Sequence, residues 1–362
     1  MKKHNTRKQA KKLGQTIGLD LGDRTSRYCL LDRAGVILTE GSVAMTKKSL
    51  AQQFGSLERS RMALEVGTHS PWVSRHLKAL GHEVIVANSR RVRLISESSH
   101  KNDKMDARTL ARLARVDPEL LSPIQHRSEQ AQEHLTVIRA RAALVEARTR
   151  LINTVRGLSK ASGERLKSCA SGQAGRGLLE QAPAGLQTAL NGLLETVETV
   201  NQQIGKYDGL IENLAEQHYP ESARLQQVSG VGTLIALTFI LTIGDPYRFG
   251  KSRDVGCYVG LRPRQQDSGQ SQPQLSITKE GDRYLHQLLV QGAHYILGRW
   301  GPDTDLKRWG LRRCETGGKN AKKRAIVGVA RKLAVLLHRL WVSGEVYEPL
   351  RNSLARAAGS VA

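Results

Sequence analysis

The spacing of apolar residues changes near position 125. Before it they come in short runs alternating every two residues and broken by turn residues; after it they recur every three or four residues over long stretches. Thr16 to Leu21 alternates as a strand, with Ile17, Leu19 and Leu21 on one face. Tyr28 to Leu31 and Val36 to Thr39 flank Asp32-Arg33-Ala34-Gly35 and predict a hairpin. Met62 to Val66 and Glu83 to Ala87 are further strands. Ser70 to Leu80 predicts a helix ending at Gly81, and Lys101 to Arg115 a helix that stops before Pro118. A hairpin followed by strand–helix–strand implies a mixed α/β sheet with helices packed on it.

From Arg127 to Tyr219 the pattern is helical. Leu190, Leu193, Val197, Val200, Ile204, Tyr207, Ile211, Leu214 and His218 form an a/d seam of about four heptads. Leu135, Ile138, Ala142, Val145, Ile152 and Val155 form a similar stripe, with Arg139, Arg141, Arg148, Arg150 and Arg156 around it. Ser159 to Gly185, rich in Ser, Gly and Ala, reads as a loop. An a/d seam does not say whether its partner is in the same chain or another, so an internal helical hairpin and a dimerising coiled coil both stand. The last segment opens at Val228-Ser229-Gly230-Val231-Gly232, enters an apolar helix, and closes with an amphipathic helix from Ala325 to Trp341. These breaks give a basic disordered arm (1–14), an α/β domain (15–125), a helical domain (126–222), a mostly helical C-terminal domain (223–345) and a tail (346–362).

Charge narrows the function. Lys and Arg number 56 against 33 Asp and Glu, a formal net charge of +23. Such a field favours polyanions and makes their binding salt-dependent. The longest strongly apolar run, Leu234 to Ile243, is too short to cross a bilayer, so no membrane partner is expected. Met1 to Lys12 is basic and has no apolar core, unlike a secretory signal. The four cysteines form no CxxC pair, which argues against a zinc ribbon or disulfide framework and fits a reducing cytoplasm. The histidines lack HxxH and HExxH spacing, so zinc is not indicated. Aromatics make up only 4%, too few for base stacking to be the main device.

Against this basic background, acids among apolar residues stand out. Period two puts Asp20 on a face shared with Gly18 and Gly22, where glycines allow close approach to the backbone. Glu65 repeats the arrangement with Ala63 and Gly67. Asp103 and Asp106, three apart at a helix start, share one face, and that face continues into Leu110, Leu113 and Ala114. Hard oxygen ligands of this kind suit Mg²⁺ or Mn²⁺, and paired ions stabilise both the attacking and the leaving oxygen of a phosphoryl transfer. Acids in a first helical turn are also favoured by the helix dipole alone, so the combination carries the argument rather than any one residue.

Three stretches in order, Ile17-Gly18-Leu19-Asp20, Ala63-Leu64-Glu65-Val66-Gly67-Thr68-His69 and Lys101-Asn102-Asp103-Lys104-Met105-Asp106-Ala107, resemble the DEDD signature of a bacterial insertion-sequence transposase family. This is the bridge-RNA-guided recombinase family, which also includes pilin-gene invertases. Ser229-Gly230-Val231-Gly232, Tyr258-Val259-Gly260-Leu261-Arg262-Pro263-Arg264-Gln265, Ser268-Gly269 and Ile277-Thr278-Lys279-Glu280-Gly281-Asp282 follow the order of its C-terminal transposase domain. The resemblance covers all but the two tails. It implies an N-terminal domain of the ribonuclease H type, similar to Holliday-junction resolvases. It also implies metal held by Asp20, Glu65, Asp103 and Asp106, and a serine nucleophile acting on DNA.

By position after Gly260-Leu261-Arg262-Pro263, that serine is Ser268. Here the chain departs from the family: Asp267 replaces a small hydroxyl residue, and the following lysine is missing. Ser271 and Ser276 are the weaker candidates. The resemblance further implies donor and target DNA as partners, a structured noncoding guide RNA, and an assembly of at least two subunits and up to four. Within it, the acids and serine acting together come from different subunits.

For nucleic-acid contacts, Arg90, Arg91 and Arg93 form a basic cluster that is equally readable as a solvated face. Arg139 and Arg148 lie on the long helix, and Lys279 and Arg283 flank Gly281. Gly230 and Gly232 lie either in a phosphate-binding hairpin or in a tight turn between helices. The main rival function is a junction resolvase or nuclease with the same acids and water as nucleophile. An actin-like or sugar-kinase-like ATPase would need a second phosphate motif, and a noncatalytic scaffold would not need all four acids.

Overall fold

Residues 14–88, 103–273, 275–315 and 318–353 are described in a computed structural model; the side chains of Asp103, Lys104 and Lys319 are not part of that description. Nearly all of the basic arm, the Arg90, Arg91 and Arg93 cluster and the end of the tail therefore lie outside the described residues. The chain divides into two compact units, Met1–Arg127 and Ser128–Ala362.

The first unit is built on five strands: β1 (Thr16–Asp20), β2 (Thr25–Leu31), β3 (Ile37–Ala44), β4 (Arg61–Glu65) and β5 (Glu83–Ala87). Their order is β3-β2-β1-β4-β5. The first three strands form an antiparallel meander, and β4 and β5 add in parallel to β1. The hairpin expected at 32–35 is present: Asp32 takes the Val36 amide on its side chain (2.8 Å) and Gly35 has φ 92°. Its strands run further than the alternation suggested.

Helix α1 (Lys47–Phe54) precedes β4, and α2 (Ser70–Ala79) joins β4 to β5. Both cover the face of Ile17, Leu19, Met62 and Leu64, with Leu50, Phe54, Val73 and Leu77 buried there. Helix α3 (Asp103–Val116) covers the other face through Ala107, Leu110, Ala111 and Ala114. The sequence reading missed α1 because only Leu50 and Phe54 mark its buried side. Thr46 starts it by accepting the Ser49 amide (3.1 Å).

In the second unit, α4 (Glu129–Ala161) and α6 (Ala184–His218) pair as an antiparallel hairpin. At one end Ile152 and Val155 meet Leu190, Leu194 and Val197; at the other Leu135 and Ile138 meet Ile211 and Ala215. The heptad seam is thus filled within the chain, and it no longer argues for a coiled coil between subunits. The stretch 159–185 is not all loop. It contains α5 (Ala174–Leu179), whose Ala174 and Leu178 are buried against α6. Six residues are too few for a visible period, and two glycines hide the helix further.

The rest is a helical bundle: α7 (Ser222–Leu225), α8 (Thr233–Ile243), α9 (Arg253–Tyr258), α10 (Arg283–Leu297), α11 (Asp305–Glu315) and α12 (Ala321–Ser343). Its core runs through Phe239, Leu289, Val329, Leu333 and Leu337. Leu237 and Leu241 of α8 also contact the root of the α4–α6 hairpin. Among the described residues, no helix is long and apolar enough to cross a membrane.

Candidate active site

β1 and β4 pair in parallel with Leu19 beside Leu64, so the next residues, Asp20 and Glu65, are neighbours at the adjoining C-terminal strand ends. Both side chains leave the sheet on the face that α3 covers. Gly18, two residues before Asp20, makes that packing possible: a Cβ there would lie 2.0 Å from the Ala107 carbonyl oxygen and 2.5 Å from the Ala111 nitrogen. At the other end of α3, the carbonyl of Ala114 accepts from Arg61, the first residue of β4 (3.2 Å). The helix therefore runs against β1 and β4. Its first turn, which carries Asp103 and Asp106, lies toward the strand ends that carry Asp20 and Glu65. Asp20, Glu65 and Asp106 are each half-buried.

The donor set consists of hard carboxylate oxygens, which fits Mg²⁺ or Mn²⁺. Among the described residues no group of three or more His, Cys, Asp or Glu stands close enough to hold a metal ion.

Several side chains that the sequence reading passed over support this edge. Glu40 of β3 takes both ends of the Arg108 guanidinium, which ties α3 across the sheet. Burial beneath that pair, with the Glu40 charge adding to it, pushes the Cys29 thiol up to about 11. Arg27 is the cross-strand partner of Asp20 and shares its face.

His69 links the segments that follow β1 and β4. Its Nδ1 accepts from the Trp72 indole (3.2 Å), and its Nε2 lies 3.3 Å from Asp23 Oδ1. An indole only donates and a carboxylate only accepts, so the ring carries its proton on Nε2. Ser70, fully buried, accepts from the Gly67 amide (3.0 Å) and donates to the Gly67 carbonyl (2.8 Å). Its hydroxyl proton is thereby used, so His126 Nε2, 2.9 Å away, is the donor to Ser70. Burial holds the His126 pKa below its ordinary value, with Arg75, Lys78 and Arg127 adding to the effect. None of these partners follows a spacing rule; only the fold brings them together.

The second unit presents Ser268 on a hairpin. Gly260 and Gly281, both at positive φ, let two backbone segments interlock: a Cβ on either would lie about 2 Å from a carbonyl oxygen, of Glu280 (2.0 Å) and Tyr258 (2.1 Å) respectively. From this base the chain pairs Pro263 with Ile277 and Ser268 with Ser271. Ser268 and Ser271 exchange backbone hydrogen bonds of 3.1 and 2.9 Å around Gly269 (φ 55°) and Gln270. Residues 262–270 are exposed throughout, so Ser268 stands beside the tip of the turn.

Comparison with known proteins gives the chain a family. Residues 17–160 match the DEDD model of the IS110 group, described as a transposase, and residues 222–307 match the model of the transposase IS116/IS110/IS902 family. The chain belongs to the IS110/IS1111 family of DEDD transposases. It is accordingly an enzyme of DNA strand transfer, and divalent metal use goes with the family. Curated relatives agree along most of the chain. The transposase for insertion sequence element IS1111A of Coxiella burnetii is 27% identical over 354 residues, covering 94% of this chain and 93% of that one. A probable family 20 transposase of Pseudomonas aeruginosa is 28% identical, covering 81% and 87%. The transposase for IS1328 of Yersinia enterocolitica is 26% identical, covering 78% and 84%.

The remaining candidate contacts of the transposase differ in availability. Lys279 and Arg283 are exposed near the hairpin base, Lys279 with φ 55°. Arg139 pairs with Asp282, the residue that caps α10 by accepting the Leu285 amide (2.8 Å), and it lies over the Tyr284 ring. Arg148 donates to Asn201 (2.9 Å); burial lowers its pKa, and Arg141 lowers it further. Both arginines thus help hold the second unit together. Gly230, at φ 86°, packs against α10: a Cβ would meet Tyr295 at 3.0 Å and the Gly292 carbonyl at 3.1 Å. That geometry is the tight turn between helices. Gly232 is exposed.

Proposed function

We propose that this transposase cuts and rejoins DNA with Mg²⁺ or Mn²⁺ held by Asp20, Glu65, Asp103 and Asp106 and with Ser268 as nucleophile, on an N-terminal domain of the ribonuclease H type. The observation that carries the reading is the register neighbourhood of Asp20 and Glu65 beneath the acidic first turn of α3. The strand order, with an antiparallel meander extended in parallel by β4 and β5, supports the fold assignment. Metal bound at the carboxylates supplies charge neutralisation for the phosphate and for the oxygens that attack and leave it. Ser268 Oγ forms a bond to phosphorus, the bond from phosphorus to a deoxyribose oxygen breaks, and the serine proton ends on the departing hydroxyl. The resulting phosphoserine ester keeps the bond energy, and a second DNA hydroxyl displaces the serine to rejoin the strand.

A structured noncoding guide RNA chooses donor and target by base pairing, while the protein binds shape and backbone. Recombination requires more than one strand cut, so the working assembly is a dimer or tetramer that combines acids and serines of different subunits.

The test is to incubate the purified protein with Mg²⁺, the RNA transcribed beside its gene and a DNA duplex spanning the element junction, then look for a DNA-linked protein band. The band should need RNA and metal and vanish in both Ser268→Ala and Asp20→Ala. Cleavage that persists in Ser268→Ala without a covalent band would replace this reading with a water-using nuclease. A covalent band that persists there would move the nucleophile to Ser271.

A further inference from the structure

Within the second unit, α12, α11, the first residue of α9 and the segment 347–353 line an open cleft of about 960 Å³. Its lining carries six cations (Arg253, Arg312, Arg331, Lys332, Arg339 and Arg351) against two acids, Asp305 and Glu348, and Glu345 beside it pairs with two of the six, Arg339 (3.2 Å) and Arg351 (2.8 Å). Asp305 is already committed to the chain. Its carboxylate accepts the Asn352 and Ser353 amides (2.6 and 3.2 Å) and the Ser353 hydroxyl (2.5 Å), pinning 347–353 along the cleft. These bonds hold its pKa below the ordinary value despite the opposing effect of burial.

The floor is apolar, formed by Leu306, Val335, Leu336 and Leu340. A cleft with an excess of one charge sign over a low-dielectric wall focuses its field outward. Trp309 stands in the wall, seated by Gly328, where a Cβ would come within 2.9 Å of its ring. Lys332 and Arg313 lie over that ring, at 4.8 and 5.5 Å from its centroid, so the ring is already engaged by cations. Lys332 and Arg339 are two helical turns apart on one face, and the Arg331 stem lies over Gly256. The result is a net basic cleft without a stacking platform.

We propose that this cleft binds the phosphate backbone of duplex DNA, as a holding site separate from the one where strands are cut. DNA is the polyanion on which the family acts. The proposal rests on that membership and on the cleft, and not on the acids or Ser268, so it stands or falls apart from the function proposed above.

The experiment is fluorescence anisotropy of the full-length protein with a labelled DNA duplex over a KCl series. It compares Arg331→Gln/Lys332→Gln with a charge-matched control on exposed sites, Lys160→Gln/Lys206→Gln. Each lost phosphate contact removes about 0.9 from the slope of log K against log salt. The cleft pair should lower the slope by about two and weaken binding about tenfold to a hundredfold, with the control unchanged. Arg253→Gln/Lys332→Gln spares the packed Arg331 stem and should do the same. An unchanged slope in both cleft pairs, an equal change in the control, or a loss seen only with an RNA hairpin would overturn the proposal.

Discussion

The two units present the groups proposed to react in opposite ways. In the first, the carboxylates end buried strands and begin a helix wedged onto them, with Gly18 allowing contact so close that α3 has one seat. In the second, Ser268 sits beside an exposed two-residue turn, on a hairpin whose base is set where Gly260 and Gly281 interlock. Metal ligands must be fixed before the ion arrives, because each misplaced oxygen weakens the site. A hydroxyl that must meet a DNA strand gains from standing clear of the core. On the proposed roles, rigidity and reach are divided between a sheet and a hairpin.

The largest expected effect falls on the rigid side. Asp20→Ala or Glu65→Ala should lower strand transfer at least about a thousandfold, since metal stabilisation is worth several kcal/mol and each 1.4 kcal/mol is tenfold in rate. A junction-cleavage gel reads this, and circular dichroism should show the fold retained. Leu194→Ala in the α4–α6 seam should destabilise the second unit by about 2–5 kcal/mol, measured by urea unfolding. Gly18→Val should cost about 1–3 kcal/mol or more by overpacking, and activity should fall with it as α3 is pushed off its seat.

A smaller effect should appear with pH. His126 titrates below its ordinary value when folded, so above about pH 6.5 it is neutral in both states. As pH falls through that value the unfolded chain binds the proton first, and stability of the first unit should drop. His126→Gln should flatten this limb in thermal melts at pH 7 and pH 5.5. The smallest effect should come from the exposed hairpin: Ser268→Ala should change stability by no more than about 0.5 kcal/mol. A large loss of stability there would abolish the contrast between the two units.

Much of the sheet was legible in the sequence because its strands obey period two and its turns carry Gly or Pro. Asp20 and Glu65 were legible as acids on otherwise small or apolar strand faces. Their adjacency was not, since register is set by pairing between segments more than forty residues apart. Helix α1, with only Leu50 and Phe54 on its buried side, and the six-residue α5 were too short to show a period. The heptads of α6 were read correctly as a seam, yet period alone left the partner open; Ile152 and Val155 of the same chain fill it. The clamp of Glu40 on Arg108 and the Asp23–His69–Trp72 chain had no sequence signal, because charged and aromatic residues on exposed elements pair only after folding.

The filled seam has a mechanical consequence. At 1.5 Å per residue, the 33 residues of α4 make a rod about 50 Å long, close to fifteen base-pair steps of B-DNA. One end is seated on α8 through Leu237 and Leu241, and α5 packs at the other. Removing one heptad from each helix would shorten the rod by about 10 Å and leave its facing residues in phase. The length is a ruler graduated in heptads, and sequence can reset it without rebuilding either end.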